Sequence, residues 1–123
     1  MKKLLGIVVL GLLWCNVGLA IEKGFTPTHL TKPEYVVKHY HENPIIKAFI
    51  WGLGEGMRVG TYYGEMQKNN KPNFCVPAKM PPNVDDYFAA FKKFYYKQKN
   101  ILTERDTTSI VMALALPDAF PCN

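Results

Sequence analysis

The chain has 123 residues, a formal charge of +5, 20% charged residues and a hydrophobic fraction of 48%. That length holds one compact domain and excludes a dinucleotide-binding enzyme or a (β/α)8 barrel. The charge balance is globular rather than disordered, and an aromatic fraction of 13% points to a core of large rings.

Lys2 and Lys3 give a positive start, Leu4 to Trp14 is an apolar run of eleven residues, and Gly18 and Ala20 form a small-x-small pattern before Ile21. This is the layout of a cleavable secretory signal over residues 1–20. The run is shorter than the roughly 20 residues a membrane span needs. Trp14 is too bulky for a lipoprotein signal at Cys15. The expected destination is therefore an oxidising compartment outside the cytosol.

Cleavage after Ala20 leaves 103 residues (123 less 20) and a charge of +3 (+5 less Lys2 and Lys3). It also removes Cys15, so three cysteines become a pair, Cys75 and Cys122. In an oxidising compartment a disulfide is the default for such a pair. The alternative, a catalytic Cys75, lacks a Cys-x-x-Cys motif and an adjacent lysine or histidine to lower its pKa. The bridge would close a span of 47 residues (122 less 75). A loop of that size is worth about 4 kcal/mol in the chain-entropy model.

Residues 21–43 read as a lead-in followed by a short helix. Residues 21–32 hold Gly24, Pro27 and several threonines and are expected to be irregular. Pro33 opens a helix to about Glu42, with Glu34 in the first turn. Asn43-Pro44 ends it and caps the next. Residues 44–123 form the main helical domain. A helix is predicted from Pro44 to about Gln67, because Ile45, Ile46, Phe49, Ile50, Leu53 and Met57 recur at three- and four-residue steps. Gly52, Gly56, Gly60 and Gly64 make a four-residue stripe along it, with Gly54 beside it. Each glycine costs a helix interior about 1 kcal/mol. The stripe therefore demands a break near Gly52–Gly56 or a close approach by another backbone, and close packing is the expected outcome.

Lys68 to Asn73 is a polar turn, and Phe74 to Pro77 an extended, buried linker. Asn83 caps a helix from Val84 to about Lys99, with Asp85 and Asp86 at its start and Lys97 and Lys99 at its end. A last helix is expected from Asp106 or Thr107 to Leu116, where Pro117 bends or ends it. No strand alternation or repeat is visible. The fold class is all-α, a small single-domain bundle of about four helices with one disulfide.

Nothing in the chain carries chemistry. His39 and His41 lie about 200° apart on a helix and cannot share a metal ion, and His29 belongs to the lead-in. Asp85 and Asp86 serve a helix start better than an acid–base pair. There is no phosphate loop, nucleophile elbow or zinc pattern. The expectation is a non-enzyme with no catalytic residues, no metal and no cofactor. Lys92, Lys93, Lys97 and Lys99 beside Tyr95 and Tyr96 form a solvated face or a surface for an anionic partner. Export argues against nucleic acid.

Three segments, Phe49 to Gly56 (FIWGLGEG), Phe74 to Pro77 (FCVP) and Ala113 to Cys122 (ALALPDAFPC), occur in this order. Together they resemble the Rap/Tai group of small exported helical proteins, named for immunity proteins against type VI secretion amidase effectors. The resemblance covers roughly Ile46 to Cys122. It implies a periplasmic all-helical protein that sterically blocks a peptidoglycan-cleaving amidase. Members often act as dimers, and the glycine stripe would suit a homodimer seam. The alternative is a general periplasmic binding or assembly factor with no toxin partner. For partner contacts the exposed junctions stand out: Lys68, Asn69, Asn70 and Lys71 in one, and Thr103, Glu104 and Arg105 in the other.

Overall fold

The computed structural model describes residues 24–68, 71–77 and 82–123. The segment 1–20, expected to be a signal, and Asn69 and Asn70 lie outside the described residues. Four α-helices and a short 3-10 turn, with no strand, make up the described elements. The 3-10 turn spans Pro27–Thr31, followed by α1 (Pro33–His39), α2 (Pro44–Lys68), α3 (Val84–Gln98) and α4 (Thr108–Ala119). None of the helices is long and apolar enough to cross a membrane.

The helix starts follow from local chemistry. Asn43 Oδ1 accepts from the Ile45 amide at 2.9 Å, and Pro44, lacking an amide proton, fills the first helical position. Asn83 and Asp86 form a reciprocal capping box, each carboxyl or amide oxygen accepting from the other's backbone N–H at 2.9 and 3.0 Å. The lead-in is more ordered than its composition suggests. Thr26, extended, and Pro27 start the 3-10 turn, where the Thr26 amide donates to His29 Nδ1 at 3.3 Å and Thr31 Oγ1 donates to the Thr28 carbonyl at 2.7 Å.

The core is built from Val36, Tyr40, Ile46, Ile50, Tyr87, Phe91, Val111, Met112 and Leu116, all fully buried. Burial of each large side chain is worth about 1.5–3 kcal/mol. Tyr40 stacks on Phe88 with ring centroids 3.6 Å apart. The Tyr40 hydroxyl donates to Asp85 Oδ1 at 2.8 Å, so its polar tip is satisfied as the ring is buried. Val36 and Tyr40 thus bring the lead-in segment into the same core as residues 44–123.

One helical expectation holds and one changes. The glycine run does not break α2, which is continuous from Pro44 to Lys68 as its periodicity predicts. The last helix starts at Thr108 and continues through Pro117 to Ala119. Pro117 removes one intrahelical bond to the carbonyl of Ala113, an exposed residue whose carbonyl water can serve. The Phe120 amide then closes the helix on the Leu116 carbonyl at 2.8 Å.

Cys75 and Cys122 form the expected disulfide, with Cα atoms 4.9 Å apart. Next to it the Cys75 amide donates to the Phe120 carbonyl at 2.8 Å, and Phe74 is buried beneath. The bridge therefore holds both the linker and the chain end against the core.

Candidate functional site

The 25 residues of α2 reach about 37 Å at 1.5 Å per residue. Its first half packs on the body. Ile46, Ile50 and Gly54 are buried and Leu53 and Met57 half-buried, while no residue from Arg58 to Tyr63 is buried. The surroundings of residues 64–68, Gly64 and Lys68 among them, lie outside the described set.

A second line of small and apolar residues runs along the outer face of α2. It consists of Ile45, Ala48, Gly52, Gly56, Val59 and Tyr63, at successive steps of three, four, four, three and four residues. Such steps of three and four residues keep all six positions on one face of the helix. Every member is exposed, Tyr63 at 57%. A Cβ built on Gly52, Gly56 or Gly60 would meet nothing within 4 Å. Gly52, Gly56 and Gly60 thus do not provide the close packing expected of the stripe. The other helices lie across Ile46, Ile50 and Gly54, on the opposite side of α2. Among the described glycines of α2, Gly54 makes the close approach, with Tyr87 in the place its Cβ would take.

The charges beside the outer line are internally neutralised. Arg58 donates to both Glu55 oxygens, the shortest bond being 2.8 Å, and the Tyr87 hydroxyl donates to Glu55 Oε1 at 2.7 Å. The Arg58 hydrogen bonds, with help from Tyr87, hold the Glu55 carboxyl below its ordinary range against the opposing effect of burial. Burial first, and then the Glu55 hydrogen bond, push the Tyr87 phenol well above its ordinary value. What remains on the outer face is an uncharged helix surface flanked by exposed Trp51 and Tyr62.

The sequence-selected junctions are held differently. Lys71 is exposed and leads into the disulfide-tied linker. Thr103, Glu104 and Arg105 are exposed on a closed turn. Asp106 Oδ2 accepts from the Thr103 amide at 2.7 Å and its hydroxyl at 2.9 Å, and the Asp106 amide donates to the Thr103 carbonyl at 3.0 Å. The histidines serve as aromatic packing. His29, Tyr35 and His39 stack in a ladder with centroids 4.5 and 4.4 Å apart, and His41 stands edge-on to Phe88. Among the described residues no cluster of histidine, cysteine or acidic side chains could hold a metal ion.

Reading α2 as one apolar face missed Ile45, Ala48, Val59 and Tyr63 as a separate line. The signal was present: apolar and small positions surround the helix too widely for one buried face. No family model matches the chain, and comparison with curated proteins and with solved structures yields no match either.

Proposed function

We propose that the chain is an exported, non-enzymatic immunity protein that binds and sterically blocks a peptidoglycan-cleaving type VI secretion amidase. The observation that carries this reading is the uncovered outer line of α2 on a body pinned by a disulfide. A helix face that is uncharged, exposed and regularly spaced is a surface for another protein. The Cys75–Cys122 bridge adds support, because it joins two of the three segments that carry the Rap/Tai resemblance, Phe74–Pro77 and Ala113–Cys122. In this proposal Gly52, Gly56 and Gly60 let the α2 helices of two copies approach closely, as small residues do. The half of α2 beyond Met57 then projects toward the amidase cleft and fills it. No cofactor takes part.

The test is periplasmic co-expression with a small Cys–His amidase encoded next to this chain. The proposal expects rescue from lysis and co-purification of the two proteins. Lysis without co-purification removes that partner.

A further inference from the structure

A shallow apolar dish of about 430 Å³ lies where the start of α2 meets the start of α3, lined by Lys47, Ala48, Trp51, Asn83 and Val84. Ala48 and Val84 supply aliphatic surface, and the Trp51 indole supplies a flat one. That indole meets the buried Tyr87 ring, with centroids 5.8 Å apart, yet Trp51 stays 42% exposed. The polar side-chain groups of the dish are donors. The indole N–H and the Lys47 ammonium cannot accept. Asn83 gives its side-chain oxygen to the Asp86 amide at 3.0 Å, so its NH2 group is what remains. Lys47 stands over the Tyr40 ring, 5.7 Å from its centroid, and forms no ion pair among the described residues.

This chemistry selects the occupant. It calls for a flat apolar face together with acceptors that bring no donors of their own. A sugar presents such a face, but each of its hydroxyls brings a hydrogen for which the dish has no side-chain acceptor. An ordinary extended peptide brings an N–H at every residue. Proline brings none, and it offers a flat aliphatic ring beside a carbonyl acceptor. A run of prolines also holds its left-handed helix before binding, so little ordering entropy is lost. Lys47 and Trp51, four residues apart on α2, are separated by about 6 Å along the helix axis. One turn of a polyproline helix, about 9 Å, reaches across both. Charge agrees with this choice. The carboxylates nearest in the chain, Asp85 and Asp86, are held by the Tyr40 hydroxyl at 2.8 Å and the Asn83 amide at 2.9 Å. Lys47 is the one cation of the lining, so there is no cationic cluster to draw an anionic polymer.

We propose that this dish binds a proline-rich extended segment of another protein, with proline rings against Trp51 and Val84 and carbonyls accepting from the Trp51 indole and the Asn83 side-chain amide. The site shares Ala48 with the outer line of α2 but uses none of its glycines, and it does not rest on the amidase reading.

Titration of the full chain with end-blocked hexaproline tests it, followed by proton–nitrogen NMR of the indole N–H groups. The chain has two tryptophans, Trp14 and Trp51, and the resonance lost in Trp51→Phe is that of Trp51. Asn83→Asp keeps an oxygen for the helix cap and removes the amide hydrogens, and circular dichroism confirms that each variant folds. The expected result is a saturable shift of the Trp51 resonance, with affinity weakened roughly three- to tenfold in Asn83→Asp, the effect of one lost hydrogen bond. An end-blocked alanine–glycine hexapeptide and the trimer of N-acetylglucosamine are expected to bind more weakly. Equal or tighter binding of either would make the dish a general peptide or sugar site and overturn the proposal. So would an unmoved Trp51 resonance at millimolar hexaproline, or unchanged affinity in Asn83→Asp.

Discussion

The ring of Tyr87 lies directly against Gly54, and the same residue's hydroxyl donates a 2.7 Å hydrogen bond to Glu55 Oε1. One aromatic side chain of α3 thus fixes both the distance and the register of α2. The missing Cβ lets the helices meet, and the hydrogen bond chooses where. The exposed glycines on the outer line have no such neighbour, so α2 carries glycines of two kinds.

Substitution separates them. A Cβ at Gly54 would stand 2.5 Å from two carbons of the Tyr87 ring. Gly54→Ala is expected to destabilise the fold by about 1–3 kcal/mol as the core is overpacked. Gly56→Ala and Gly60→Ala enter open space and should each stabilise the monomer by up to about 1 kcal/mol, through helix propensity. Urea denaturation of the three variants checks the opposite signs.

Of the seven tyrosines, Tyr40, Tyr87 and Tyr95 have raised phenols, and Tyr40 and Tyr87 should resist ionisation most. Burial, followed by a hydrogen bond to a carboxylate, raises both the Tyr40 and the Tyr87 phenols. A raised phenol pKa means that the folded chain holds its proton more tightly than the unfolded one. The stability so gained is complete below the free phenol value of about 10 and is lost as pH rises beyond it. Absorbance at 295 nm is expected to show two phenols that titrate only with unfolding. Tyr40→Phe and Tyr87→Phe should each remove one. Titration of every tyrosine near the free value with the fold intact would contradict this. Glu55 works in the opposite direction. Its carboxyl is lowered by Arg58, so its contribution is present above the ordinary carboxylate pKa and is lost as pH falls through the lowered value.

Thr108 is fully buried at the start of α4, and its hydroxyl has no hydrogen-bond partner among the described residues. A buried hydroxyl without a partner costs about 1–3 kcal/mol. Thr108→Val keeps the shape and removes that hydroxyl. The expected result is a rise in melting temperature of several degrees, since about 1 kcal/mol corresponds to roughly 4–8 °C at this size. A fall would show that the hydroxyl is satisfied.

The disulfide closes a separation of 47 residues, and opening it should release both the linker and the chain end. The double variant Cys75→Ser, Cys122→Ser is expected to lose about 2–5 kcal/mol. Thermal melting with and without reductant measures the same loss in the unmodified chain. An unchanged melting temperature under full reduction would show that hydrogen bonding around Phe120 suffices alone.

Helix starts and the bridge were legible because they depend on local chemistry. Asn43-Pro44 and Asn83 with Asp86 cap their helices as their spacing suggests, and the two cysteines beyond residue 20, Cys75 and Cys122, leave one pairing. Other features depend on distant neighbours. The glycine stripe announced a close approach, but only Tyr87, more than thirty positions away, decides that Gly54 is the glycine that makes it. Pro117 looked like a stop, yet one bond lost at exposed Ala113 costs too little to end α4 there. The groove that Glu34, Val37 and Lys38 of α1 form with Lys92 and Tyr95 of α3 was half visible in Lys92, Lys99 and Tyr95. Its other wall comes from Glu34 and Lys38, which the sequence gives no reason to place opposite.

The central claim is that the outer face of α2 binds protein partners, among them an amidase. The most direct measurement mixes the purified chain with the neighbouring amidase and follows both complex size by light scattering and peptidoglycan cleavage. The account predicts a stable complex and loss of cleavage at stoichiometric ratio, with Gly56→Leu reducing both while the fold remains intact. Full cleavage with separate elution, or an unchanged complex in Gly56→Leu, would contradict it.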